Sequence, residues 1–118
     1  MKVQSGKAKG RKLQQWVRDK LHQYCPELRP GDVESTSMGA GGEDVKLSPH
    51  ARDYYPVQFE CKNYAKFAVY EHYKQACTHG TFEPVLVIKQ NNSKPLAVVD
   101  ADWFFAMLGE KGRRNDHN

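Results

Sequence analysis

The sequence contains no apolar run approaching the roughly 20 residues needed to cross a membrane. Lysines near the N-terminus are not followed by an apolar core, so we expect no secretory signal. Cysteine is scarce, because only Cys25, Cys61 and Cys77 occur, and no two of them form a CxxC pair. This scatter argues against a disulfide framework and against zinc, and it indicates reduced thiols in an intracellular, cytoplasmic protein.

The length and composition are those of one folded domain. The chain has 118 residues, of which 39% are hydrophobic, 11% aromatic and 27% charged. A chain of this size can bury a single core, and this composition is not typical of a disordered protein. We expect one domain over residues 1–118, with flexible ends at 1–9 and 109–118.

Acidic residues are nearly missing from the start of the chain. Residues 1–20 carry seven Lys or Arg against one Asp, a balance of +6, which leaves −2 for the remainder of a chain whose total is +4. A basic segment on a near-neutral body favours an anionic partner, with nucleic acid ahead of acidic lipid.

Apolar residues at steps of three and four predict a first helix from about Gly10 to Pro26. The predicted buried stripe contains Leu13, Trp16, Val17, Leu21 and Tyr24. Several basic residues lie off this stripe, where they face either phosphates or only solvent. We consider the following as nucleic-acid contacts: Lys9, Arg11, Lys12 and Arg18 from this segment, with Arg52 and Lys89 further along.

Two short strand-like runs follow, 43–47 and 56–62. In the second run the side chains alternate between an apolar face and a face carrying Gln58, Glu60 and Lys62, which is typical of a half-buried strand. If the runs pair, Asp44 reaches the same face. Two carboxylates and a lysine there are suited to a divalent cation, although surface ion pairs are the alternative. The connecting segment 48–55 is either a further nucleic-acid contact, through Arg52, or an ordinary surface loop.

The remaining pattern alternates helix and strand. We expect a helix over 65–79 packed on the sheet through its aromatic residues, strands at 84–89 and 96–99, and a short buried helix over 103–108. The sequence therefore predicts an α/β fold, with a mixed central sheet of four to five strands flanked by helices. The apolar residues of the last helix indicate either a dimer interface or core packing within one subunit.

Asp44 followed by Glu60-Cys61-Lys62 resembles the D…ExK signature of the PD-(D/E)XK nuclease superfamily. The order of the surrounding segments resembles most the small archaeal-type and phage Holliday junction resolvases, over nearly the whole chain. The segments that match are the basic first helix, Gly39 to Asp44, Lys62-Asn63, Gln75-Ala76 and Pro84 to Lys89.

The resemblance implies a restriction-endonuclease-like fold and a set of site residues. Asp44, Glu60 and the backbone carbonyl of Cys61 would bind Mg²⁺ or Mn²⁺, Lys62 would act on the attacking water, and Gln75 would lie near them. The related enzymes carry a Glu in the first helix, where this chain has Gln14-Gln15. An amide is a poorer ligand than a carboxylate, which leaves Glu34 as a possible replacement.

Three functions remain open at this point. The first is a metal-dependent endonuclease that resolves four-way DNA junctions as a homodimer, with no membrane or zinc involved. The second is the same hydrolysis directed at another DNA structure. The third is a nucleic-acid-binding protein without cleavage, which the missing first-helix Glu permits.

Overall fold

The computed structural model describes residues 6–36 and 43–116, and the side chains among them up to residue 111. The glycines at 39, 41 and 42 lie outside the described residues. The elements in chain order are α1 (Gly6–Tyr24), a 3₁₀ helix (Pro30–Asp32), β1 (Val33–Ser35), β2 (Val45–Leu47), α2 (Pro49–Tyr54), β3 (Val57–Asn63), α3 (Val69–Cys77), β4 (Glu83–Lys89), β5 (Leu96–Val98) and α4 (Ala101–Asp116).

The five strands form one mixed sheet in the order β1-β2-β3-β4-β5. The central pair β3 and β4 is parallel, with Glu60 beside Leu86, whereas every other neighbouring pair is antiparallel. The parallel pair requires a crossover, which α3 supplies. The expected α/β class and the number of strands are confirmed, and so is the pairing of the two runs around Asp44 and Glu60, through Val45 opposite Phe59.

Helix α1 covers one face of the sheet through Leu13, Val17 and Leu21, which are buried. It begins at Gly6, so residues 6–9, which were expected to be flexible, belong to this helix. Trp16, 41% exposed, and Tyr24 were wrongly assigned to the buried stripe. Both side chains lie at the solvent-exposed margin of the apolar stripe. They were misassigned because the apolar spacing alone does not fix how wide the covered stripe is.

The segment between β2 and β3 is a short helix, α2, rather than a loop. Its N-cap is Ser48, whose hydroxyl accepts from the N–H of Ala51 at 3.0 Å, and Pro49 occupies the first turn. The same hydroxyl donates to Asp32 at 2.7 Å. This pair of contacts fixes the start of α2 against the 3₁₀ helix and so sets the direction in which the chain enters β3.

Strand β3 is buried on both faces, which corrects the expectation of a half-buried strand. Residues 57–61 are all buried, since α1 packs on one face and α3 on the other. Helix α3 is shorter than expected, and it turns only part of its aromatic surface to the sheet. Ala76 is buried, whereas Tyr70 is 83% exposed and Cys77 is also exposed, contrary to their expected packing.

Helix α4 differs most from its prediction. It was expected to end near Leu108 and to be buried, but it continues to Asp116, and of its side chains described up to residue 111 only Trp103 packs against the core. Phe104, Phe105, Met107 and Leu108 are exposed.

The radius of gyration is 15.1 Å, against about 13.5 Å for a compact chain of this length. None of the helices within the described residues combines the length and apolar character that a membrane span requires.

Candidate active site

Strand β3 carries the side chains of the site at regular intervals. Gln58, Glu60 and Lys62 share the face that α3 covers, because successive residues of a strand point to opposite sides. Glu60 is only 2% exposed. A carboxylate so deeply buried needs partners, since an unpaired buried charge is strongly unfavourable.

Asp44 reaches this cluster from the residue just before β2. Its backbone N–H donates to the carbonyl of Phe59 at 3.2 Å, and its Oδ2 accepts from the N–H of Cys61 at 2.7 Å. Burial raises the pKa of Asp44 to about 6, with a further increase from the adjacent Glu60, against the opposing effect of the Cys61 N–H. The two carboxyls are therefore close enough to disfavour simultaneous ionisation, which is a good arrangement for holding a cation.

Lys62 lies beside the same carboxylate. Its Nζ is 3.2 Å from Oε1 of Glu60 and 5.8 Å from the centre of the Tyr64 ring. Burial acts to lower the pKa of Lys62, but the charge of Glu60 and, to a lesser degree, Tyr64 raise it above its ordinary value. The ammonium group therefore remains charged at neutral pH.

Sequence reasoning missed one member of the cluster, His79. It lies in the turn after α3, and Oε2 of Glu60 accepts a hydrogen bond from its Nε2. The sequence offered no signal for this contact, because His79 lies 19 residues beyond Glu60 in a separate element. Its approach to β3 depends on how α3 ends, which is a tertiary effect.

Gln75 is not brought to the cluster. It is exposed on α3, and no described contact joins its side chain to Asp44, Glu60 or Lys62. For Cys61 the backbone N–H holds Asp44, whereas burial raises the pKa of its thiol well above the ordinary value and keeps it neutral. Only the backbone of Cys61 is thus available to the site.

Arg52, expected to contact phosphate, is committed within the fold. Its guanidinium forms an ion pair with Glu43 and donates to the carbonyl of Val57, and it stacks 4.2 Å from the centre of the Phe82 ring. These contacts hold α2 against the start of β3. They also occupy Glu43, the carboxylate next to Asp44 in sequence.

Three of the basic residues expected to contact nucleic acid meet at a groove of about 250 Å³. Lys9 and Lys12 of α1 line it together with Lys89 of β4, and Trp16 and Asn63 complete its walls. We call this set of residues the basic groove. Asn63 follows Lys62 directly, so the groove lies on the opposite face of β3 from Glu60.

The other two α1 residues expected to contact nucleic acid, Arg11 and Arg18, are not among those that line the basic groove. Arg11 is exposed. Arg18 pairs with Asp19 at 3.0 Å and lines a separate depression beside Glu34. Glu34 itself is exposed on β1, opposite Lys46. Neither Asp44 nor Glu60 is among the residues that line the depression beside it.

Of the two neighbouring glutamines in the first helix, Gln14 is buried and Gln15 is partly exposed. Gln14 accepts from the hydroxyl of Ser35 at 2.9 Å. It links α1 to β1, so its side-chain oxygen serves the packing of the first helix.

The donor set suits a hard cation held by few protein ligands. Within residues 6–36 and 43–116, no three His, Cys, Asp or Glu side chains form a ready-made metal site. Two adjacent carboxylates completed by water ligands are nevertheless the usual way in which proteins hold Mg²⁺. Asp44 and Glu60, with the Cys61 carbonyl, would be those ligands.

Comparison with known proteins gave no match, whether to a family model, a curated protein or a solved structure.

Proposed function

We propose that this protein is a metal-dependent endodeoxyribonuclease of the PD-(D/E)XK type, and that its substrate is branched DNA of the four-way junction class. The observation that carries the proposal is the convergence of the partly buried Asp44 and Lys62 on the buried Glu60, with Nζ of Lys62 at 3.2 Å from Glu60. Acids shielded from solvent and a charged lysine in contact are the groups that phosphodiester hydrolysis requires.

Each residue has a distinct task in the reaction. Asp44 and Glu60 would hold Mg²⁺ or Mn²⁺, and the ion would supply positive charge to the phosphate and lower the pKa of a water molecule. Lys62, kept charged by Glu60, orients the attacking water and stabilises the negative charge that develops on the phosphate. The N–H of Cys61 fixes the Asp44 carboxylate at 2.7 Å, which limits its reorientation during the reaction.

The basic groove supports DNA as the partner. Lys9, Lys12 and Lys89 present three ammonium groups around one groove, next to the exposed Trp16. Lysines of this kind bind the phosphate backbone without reading sequence. A junction has two strands to cut, so a two-fold dimer with one cluster per subunit matches its symmetry.

Helix α4 is the surface we assign to that dimer. Its exposed Phe104, Phe105, Met107 and Leu108 form an apolar surface that the rest of the described chain does not cover. Burial of such a surface against a second copy removes it from water, which is a favourable contribution of about 25 cal/mol per Å².

The proposal is tested by incubating wild type, Lys62→Ala and Lys66→Ala with a synthetic four-way junction and with a matched linear duplex, in Mg²⁺ or in EDTA. Lys66 is an exposed lysine in the loop after β3, so its variant controls for the loss of a charge. We expect paired, symmetric nicks in the junction alone, abolished by EDTA and by Lys62→Ala, and retained in Lys66→Ala. Cleavage of both substrates would retain the nuclease and refute the junction preference.

A non-catalytic nucleic-acid-binding protein is the second candidate, and one observation favours it. Gln14 and Gln15 occupy the turn where the enzymes that the sequence resembles carry an acid, and the Gln14 side chain is bonded to Ser35. The metal would then have one carboxylate ligand fewer. Tight junction binding without cleavage in either Mg²⁺ or Mn²⁺ would establish this second function.

A further inference from the structure

The buried carboxylate of Glu60 is held at both oxygens. Lys62 lies 3.2 Å from Oε1, and His79 donates to Oε2. A carboxylate contacted by a single flexible lysine can rotate, whereas one contacted from two sides by groups on different elements has one orientation. His79 supplies the second side, from a part of the chain 19 residues beyond Glu60.

The position of His79 is determined by a buried amide on β3. Gln58 is fully buried, at 0% exposure, and its Nε2 donates to the carbonyls of Ala76 at 2.8 Å and Gly80 at 3.4 Å. Its Oε1 accepts from the N–H of Phe82 at 3.2 Å. One side chain thus binds three backbone groups on both sides of His79.

Gly80 allows this close approach. A Cβ at position 80 would lie 2.8 Å from Oε1 of Gln58, which is closer than real contacts permit. The backbone of His79 is held in turn by its N–H, which donates to the carbonyl of Ala76 at 3.4 Å. The turn from Ala76 to Phe82 is therefore fixed to β3 immediately beside Glu60.

We infer that His79 is a positioning residue for divalent-cation binding: the turn fixed by Gln58 and Gly80 aims its imidazole at Glu60 and keeps that carboxylate in the orientation that binds the metal. This inference rests on the metal site of the proposed function and does not depend on the DNA substrate. Partners of metal-binding carboxylates commonly affect metal affinity by about 10–100-fold when they are removed.

The test measures Mn²⁺ binding to the DNA-free protein by isothermal titration calorimetry, and thermal unfolding in EDTA, for wild type, His79→Ala and His79→Gln. The amide of Gln retains a donor that reaches Glu60. We expect His79→Ala to weaken Mn²⁺ affinity by about 10–100-fold and His79→Gln to restore most of it. If His79→Ala fails to fold, His79→Asn, a polar but shorter side chain, takes its place with the same expected loss.

His72→Ala is the matched control. His72 lies on α3, and its ring packs against Tyr64 and Phe67, at centroid distances of 5.3 and 5.9 Å, instead of contacting Glu60. Its removal should leave Mn²⁺ affinity unchanged. An equal loss in His72→Ala and His79→Ala, or no rescue by His79→Gln, would mean a general structural effect and would overturn the inference, as would unchanged affinity in His79→Ala.

The outcomes separate this inference from the proposed function. A wild-type protein that binds Mn²⁺ and responds to the variants as expected, but cuts neither DNA substrate, supports the positioning role and refutes the nuclease. A wild-type protein that cuts junctions, combined with an unaltered Mn²⁺ affinity in His79→Ala, supports the nuclease and refutes the positioning role. Absence of Mn²⁺ binding in the wild type overturns both.

Discussion

Asp44 is tied to the strand that carries Glu60 through a hydrogen bond of 2.7 Å from the N–H of Cys61 to its Oδ2. The bond fixes the distance between two acids that come from different strands. It also explains why the Asp44 carboxyl stays in the cluster although burial raises its pKa to about 6, because the N–H offsets part of the unfavourable environment.

The pH dependence of stability follows from this pKa. Between pH 3.8, the ordinary value, and about 6, folded Asp44 retains a proton that the unfolded chain has lost. Stability contributed by this group is therefore present at low pH and is lost as the pH rises through that window. Asp44→Asn, which can still accept from Cys61, removes the dependence. Since the carboxyl is partly solvated, we expect the difference in unfolding free energy between variant and wild type to change by only about 1 kcal/mol.

Urea denaturation in EDTA from pH 4 to pH 7 measures that difference. Asp53→Asn, an exposed position on α2, serves as the control and should follow the wild-type curve. If the curves of Asp44→Asn and wild type run parallel over the whole range, the raised pKa is refuted.

Substitutions in the basic groove should weaken DNA binding without changing any sequence preference. Lys12→Ala and Lys89→Ala each remove one ammonium group from the groove wall. Each should reduce the slope of log affinity against log salt by about 1, since one fewer counterion is released. Fluorescence anisotropy over a salt series measures the slope. Lys74→Ala, an exposed lysine of α3 outside the groove, is the control, and equal slopes in all three variants would rule out the groove as the DNA surface.

Disruption of α4 should produce monomers. Phe105 is 67% exposed, so Phe105→Glu places a charge on the apolar surface without disturbing the core. We expect sedimentation equilibrium to give a dimer for wild type and a monomer for the variant. Tyr70→Glu changes an exposed aromatic residue of α3 in the same way and should remain dimeric. A wild-type monomer, or a Phe105→Glu dimer, is incompatible with the assignment.

Gly80→Ala should destabilise the fold. The new Cβ meets Oε1 of Gln58 at 2.8 Å, and at a φ of 158° the backbone is unfavourable for a side chain. We expect a loss of about 1–3 kcal/mol in unfolding free energy, as for other overpacked sites. Gly109→Ala lies in open space inside α4 and should instead gain about 0.5–1 kcal/mol. Urea denaturation of both variants checks the two signs, and a neutral Gly80→Ala contradicts the tight contact.

Local patterns were sufficient to predict the strands that bring the acids together. Alternation along 57–62 assigned Glu60 and Lys62 to one face, and the antiparallel pairing of Val45 with Phe59 adds Asp44 to that cluster. Alternation does not reveal what covers each face. The burial of Glu60 and the contact with His79 depend on where α3 ends, and that end is fixed by Gln58, a residue whose sequence context resembles any polar strand position.

Helix α4 was mispredicted because few sequence signals stop a helix. Gly109 lowers helix stability by only about 1 kcal/mol, and the residues after it are compatible with a helix. The contacts that Arg52 makes within the fold could not be predicted from the sequence for a different reason. A basic residue in a polar segment indicates a surface contact, but Glu43 and the Val57 carbonyl become its neighbours only after β2 and β3 pair.

Lys62 and Asn63 lie on opposite faces of β3, so the basic groove and the cluster around Glu60 are on opposite sides of this strand. Under the proposed function, substrate affinity would be governed on the side of Asn63 and the lysines near it, and turnover on the side of Lys62 and Glu60. The two sides share no described side chain, so a change in one should leave the other nearly unaltered. If the protein is the nuclease proposed above, substitutions around the groove would change the DNA structure that is bound and would leave the hydrolytic residues in place.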